Sequence, residues 1–170
     1  MSLVKILKFS LLSFMFIGLL ASCKKDDDTS EEERIARMID ELRDITAAYV
    51  DHEAALAAGW STDLSGCVEH PTEGGMGHHF ARLEYMDGRV NHKEPQVLLY
   101  VPDGQGGMEF VAVEYIVPFD ILPETEEAPE LFGQHFHKNH EQKIWALHVW
   151  TAKDNPSGMF YDWNPDVSCQ

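Results

Sequence analysis

The chain has 170 residues, with 29 acidic against 13 basic side chains and a formal net charge of −16 at pH 7. A field of that sign repels polyanions, which excludes nucleic acid as a partner, while it draws cations toward the surface. The length suits one domain large enough to bury a core, and no second domain is needed.

At the N-terminus Lys5 and Lys8 precede an apolar run from Phe9 to Leu20, closed by Leu20-Ala21-Ser22-Cys23. The run is too short to cross roughly 30 Å of hydrocarbon, and its order of charged, apolar and small residues is that of a cleaved secretory signal. Its last four residues resemble the lipobox of bacterial lipoproteins. That resemblance implies removal of residues 1–22 as a signal peptide and a lipid on Cys23, so that the membrane is a partner through the anchor. The rival is an ordinary cleaved signal with an incidental cysteine. Loss of the two lysines would take the formal charge to −18. Residues 23–33 are charge-dense, with nothing apolar to bury after Cys23, and are expected to form a solvated tether. The lysine-acid cluster from Lys24 to Asp28 is similar to the export signal of surface lipoproteins in some Gram-negative bacteria. It implies an outer-membrane anchor, with the domain facing either the periplasm or the exterior.

From Glu31 to Ala58 the residues Ile35, Met38, Ile39, Leu42, Ile45, Tyr49 and Leu56 recur at three- and four-residue steps, which predicts one long amphipathic helix. Ser30-x-x-Glu33 has capping-box form, and Gly59 sits where a left-handed C-terminal cap belongs. Between Trp60 and Pro95, Gly, Pro, Ser and Asp abound without a sustained period. Loop is expected there, with a short helix from Phe80 to Met86. Gln96–Val101 and Met108–Val117 are β-rich runs around a glycine-rich turn and predict a hairpin, and Ile144–Ala152 predicts a third strand. Helix first and strands in succession give an α+β class: a long N-terminal helix packed on a small antiparallel β-sheet with long loops, in one globular domain over residues 34–170.

Cys67 and Cys169 remain as a pair in a compartment that oxidises thiols, and a disulfide between them is expected. The rival is a pair of thiolate metal ligands, although the short spacing of zinc motifs is missing.

Nine histidines fall after Cys23. Glu114 and His148 are the more telling pair with them, because each interrupts an apolar strand, in FVAVEYIV and WALHVW. A buried carboxylate without a partner is costly, so something must satisfy Glu114. Alternation places Glu114 on a face with Phe110, Ala112 and Ile116, and His148 on one with Ile144, Ala146 and Trp150. If both faces look the same way the pair converges, with a loop histidine completing the set. The competing expectation is a satisfied polar core, in which the pair hydrogen-bond each other or a neighbouring backbone group and no ligand is held. In His135-x-His137-x-x-His140, His137 is a candidate, and His135 and His140 fit a wet loop. The glycines of GGMGHH let backbone approach another group closely ahead of His78 and His79, of which one is expected to ligate. Asp51 and His52 read as solvated surface residues.

Tyr49-x-Asp51, Gly59-Trp60, GGMGHHF, PQVLLYVP, VAVEYIVP, PELFGQ, ALHVW and NPSGMFYDWNPDVSC, in that order, resemble a family of secreted bacterial proteins to which no activity is attached. The resemblance spans nearly all the chain after Cys23. It implies a shared signature at His79, Glu114, His148, Asn155, Pro156, Gly158, Asn164 and Pro165. It also implies an aromatic residue at position 78, so it selects His79 over His78.

These residues predict a pocket beside the sheet, lined by His79, Glu114 and His148 with His137, that holds a divalent transition metal, zinc by default. Glu114 is the candidate catalytic residue, and a hydrolase or lyase is the expected class if water completes the coordination. Nucleophile elbows, phosphate loops and dinucleotide fingerprints do not occur. The alternatives are a module binding a small molecule or carbohydrate in an aromatic groove of Trp60, Trp145, Trp150, Trp163, Tyr100 and Tyr115, and a structural surface protein without a metal.

Overall fold

The structure is a computed structural model that describes residues 30–170. The expected signal segment, the lipid site at Cys23 and the tether up to residue 29 lie outside the described residues. Among those described, no helix is long and apolar enough to cross a membrane.

The α+β class holds, with an antiparallel sheet. Helix α1 spans Glu31–Thr46 and is capped by Ser30, whose hydroxyl accepts from the Glu33 amide. The acidic residues Glu31, Glu32 and Glu33 form its first turn, which suits the helix dipole, so the overlap between tether and helix falls to the helix. The single long helix does not persist. A 3₁₀ turn over Ala47–Val50 follows, Asp51 is extended, and α2 covers only His52–Ala57. Asp51 ends one helix by starting the next, since its carboxylate accepts from the Glu53 amide. The Tyr100 hydroxyl donates to the Tyr49 carbonyl freed by the break. Gly59 takes the left-handed conformation expected of it, with φ 110°.

The expected loop after Trp60 is instead a hairpin of β1 (Thr62–His70) and β2 (Gly74–Ala81), and only Leu83–Tyr85 of the expected short helix is helical, as a 3₁₀ turn. The predicted hairpin forms as β3 (Val97–Pro102) and β4 (Met108–Pro118). Small strands β5 (Glu130–Leu131), β6 (Gln134–His135) and β7 (His137–Asn139) precede β8 (Ile144–Val149). The sheet is therefore larger than expected, six strands in the order β1-β2-β3-β4-β8-β7.

Each face of the sheet has its own core. Phe80, Leu98, Tyr100, Val113, Tyr115, Trp145 and Leu147 pack under α1 and α2 against Ile39 and Leu42. The opposite face carries Ala81, Val97, Leu99, Ala112 and Ile116, with Trp150 and Val167 packed against them. Phe110 sits with the helix-side core, contrary to strict alternation, because β4 gains a residue opposite Leu99 and Tyr100. The disulfide between Cys67 and Cys169 forms as expected and fixes the C-terminal tail to β1.

The tail also docks on the glycines of GGMGHH. Gly75 exchanges two backbone hydrogen bonds with Asn164, each 3.1 Å. A Cβ on Gly74 would lie 2.0 Å from the Asn164 carbonyl oxygen, and its φ of 92° already disfavours a side chain. Close approach of backbone is thus what these glycines provide.

Glu41 of α1 accepts from His92 at 2.7 Å and is paired with Lys93 at 2.8 Å, in the segment leading to β3. Hydrogen bonds from Lys93 and His92 lower its pKa to about 2. A depressed carboxylate pKa adds stability that is present above the unfolded value, near 4.5, and is lost as pH falls toward 2. An NMR titration of the Glu41 side chain should show its midpoint well below the ordinary glutamate value of 4.5, and Lys93→Ala should move it upward.

Candidate metal centre

Glu114 and His148 face each other directly across the β4–β8 ladder, and His79 reaches the same face from β2. His79 is thus a strand residue, where a loop histidine was expected. The three are 7%, 4% and 2% exposed for His79, Glu114 and His148 respectively. One ligand atom from each lies within 4.8 Å of the other two.

Glu114 does not pair with His148 by a hydrogen bond. His148 Nε2 is 3.7 Å from Glu114 Oε1, and His79 Nε2 is 3.8 Å from Glu114 Oε2. Both distances exceed hydrogen-bonding range, and His148 Nε2 is buried with no partner among the described residues. Atoms bound tetrahedrally at metal distances of about 2.0 to 2.1 Å are roughly 3.4 Å apart, so small side-chain shifts close the set on a cation.

Both rings are turned for that task from behind. Asp162 Oδ1 lies 3.1 Å from His148 Nδ1, and a carboxylate can only accept, which leaves the Nε2 lone pair facing Glu114 when the ring is neutral. Ser65 donates to the Gly66 carbonyl at 2.9 Å, so its oxygen accepts from His79 Nδ1 at 3.0 Å. His79 then also presents Nε2 as a lone pair. Ligating histidines are commonly held in this way through their other nitrogen.

Burial lowers the pKa of His79, against the pull of Glu114. His148 feels the same penalty, but Glu114 and the Asp162 hydrogen bond outweigh it and its pKa is raised. Burial would lift Asp162 too, yet the His148 hydrogen bond and the two neighbouring imidazoles hold it low. The centre therefore favours positive charge beside Nε2 of His148.

His137 lies at the mouth, outside the group of three. Its ring stacks on His148 at 6.4 Å and 5°, and its Nε2 is 3.4 Å from Asp162 Oδ2. His78 hydrogen-bonds Asp63 at 2.8 Å, away from the centre. His135 and His140 are exposed beside Glu130 and Glu124, His135 in the short strand β6 rather than in a loop. Asp51 caps α2, and His52 packs between Phe80 and Tyr100 rather than in solvent.

Asp162 and Ser65 were not anticipated from the sequence. The signal for Asp162 is faint, an acid in the FYDW segment, and its role depends on the tail folding back. The aromatic groove does not form, because Trp60, Trp145, Trp150, Tyr100 and Tyr115 are all buried. Each ties its polar atom to a backbone carbonyl, as Trp60 does with Pro95 and Trp145 with Leu122. A cavity of about 700 Å³ opens over His79, Glu114 and His148, with His137, Asp162 and Trp163 at its sides. Protein-family models, curated proteins and solved structures all give no match to this chain.

Proposed function

We propose that this is a lipid-anchored, extracytoplasmic domain of the bacterial cell envelope, related to the secreted family named above, whose sheet pocket holds a divalent transition metal on His79, Glu114 and His148. The observation that carries it is the buried Nε2 of His148, unpartnered among the described residues, with the Glu114 carboxylate 3.7 Å away and the His79 Nε2 3.8 Å from that same carboxylate. Buried polar atoms are otherwise almost always satisfied. Two imidazoles and a carboxylate leave a coordination position open, and zinc is the default ion. When bound, such an ion supplies a water whose pKa falls toward about 7, which suits a hydrolase or lyase. His79 and His148 hold the ion, Asp162 and Ser65 fix their rings, and Glu114 serves as ligand and as the carboxylate that takes up a proton.

A structural protein without a metal would have Glu114 and His148 bonded to each other or to a neighbouring backbone group, and the 3.7 Å separation and the unpartnered His148 Nε2 argue against it. Elemental analysis of protein purified without an affinity tag tests the proposal. Close to one equivalent of metal is expected in the wild type and almost none in a His79→Ala, His148→Ala double variant. Equal content in the two would remove the metal.

A further inference from the structure

The cavity extends beyond the three ligands, and its other walls say what shares it. Along β4, Glu114, Ile116 and Pro118 occupy one face, and on β8 they stand opposite His148, Ala146 and Ile144. One polar pair is therefore followed by two apolar pairs, a track of about 13 Å at the usual strand rise. Met76, Met86, Leu64 and Val68 line the same cavity. Charge is nearly confined to one sign, since Glu114, Asp162 and Glu141 are acidic and, among the described residues, Lys138 is the only lysine or arginine in the lining. Lys138 is turned elsewhere, its Nζ 5.1 Å over the ring of Trp145, which belongs to the helix-side core.

We infer that the pocket takes an uncharged carbonyl compound, an ester or amide, bearing a straight aliphatic chain, with the carbonyl at the His/Glu/His group and the chain along Ile116, Pro118 and Ile144. This rests on the metal proposal for the head group. The chain is placed independently of it, by the apolar track. A phosphate or sulfate head would meet acidic neighbours and no free lysine or arginine, which disfavours that class.

Straight-chain alkyl hydroxamates, from the acetyl to the octanoyl compound, are the probe, titrated calorimetrically into zinc-loaded protein whose zinc content is measured in the same sample. Hydroxamates chelate through a carbonyl. Each added methylene should tighten binding about threefold until the track ends, as expected for buried hydrocarbon. The half-buried Ile144→Asn and Met76→Gln substitutions should flatten that gain while leaving zinc content unchanged, which also shows that the variants fold. Octanamide should displace octanohydroxamate better than octyl phosphate does. Zinc-loaded protein whose affinity is indifferent to chain length would overturn the inference and leave the metal proposal intact. Protein that retains no zinc would overturn the head-group assignment, and 1-octanol binding no tighter than ethanol to that same protein would overturn the aliphatic track as well.

Discussion

Replacing Cys67 and Cys169 together by alanine should lower the free energy of unfolding by about 4 kcal/mol, the largest single loss of stability expected for this fold. The bond joins residues 102 apart in sequence, so it removes much of the freedom of the unfolded chain. Its contribution is not purely one of the unfolded state. Beyond the bond, the tail is held by the two Gly75–Asn164 hydrogen bonds, by Val167 in the apolar core and by the Asn164 amide donating to the Asp154 carbonyl. Those contacts should keep the variant folded. They should not keep the tail tight beyond Val167, where the Cys169 amide bonding to Glu69 on β1 is the remaining hydrogen bond to the sheet among the described residues. Denaturant unfolding of oxidised wild type against the double variant is the measurement. A difference below about 1 kcal/mol would mean that Asn164 and Val167 hold the tail alone. Faster amide exchange at Val167 and Asp166 in the variant is the accompanying sign.

The same tail explains what could be foreseen from sequence and what could not. β3, β4 and β8 were legible because Val, Ile, Tyr and Trp crowd them and a glycine-rich turn separates the first two, so local propensity and tertiary pairing agree. β1 and β2 were not. Ser65, Gly66 and Glu69 on one strand, and Gly74, Gly75 and Gly77 on the other, carry no apolar alternation. These segments are extended because β3 pairs with His78–Ala81 and the tail pairs with Gly75, at positions distant in sequence. The break after Thr46 was hidden for a related reason. Apolar residues keep their three- and four-residue steps through Tyr49 and Leu56, and only Asp51 marks the cap that divides the helix.

For the centre, polar residues inside apolar strands were the legible signal, and both Glu114 and His148 met at the expected point. Alternation alone could not say that they face the same way. That follows from the antiparallel register placing 114 opposite 148. His79 came from a likeness of motifs rather than from strand periodicity, which is absent around it. Asp162 could not be placed at all from local pattern, since it reaches His148 only after the chain turns back through the Asn155–Gly158 segment. There the Asn155 side chain donates to the carbonyls of Tyr161 and Trp163 and fixes the turn.

Zinc at a hundred times its dissociation constant should stabilise the wild-type domain by about 2.7 kcal/mol, read as a rise in the unfolding midpoint that depends on zinc concentration. The Asp162→Ala variant is the sharper measurement. Asp162 is outside the set of three ligands, yet it holds the Nδ1–H of His148 and thereby the direction of Nε2. Its loss should weaken zinc binding 10- to 100-fold, so that at the same zinc concentration about 1.3 to 2.3 kcal/mol of the stabilisation disappears. Glu114→Gln should abolish the zinc-dependent rise, since it replaces a carboxylate ligand with a poor one. His137→Ala should change the rise by only a few tenths of a kcal/mol, because His137 meets the centre through Asp162 and through stacking on His148. If Asp162→Ala binds zinc as tightly as the wild type, strand β8 and its packing orient His148 unaided. If His137→Ala loses as much as Asp162→Ala, then His137 ligates directly and the centre has four protein ligands, with no position open for a water or a carbonyl oxygen in a tetrahedral site.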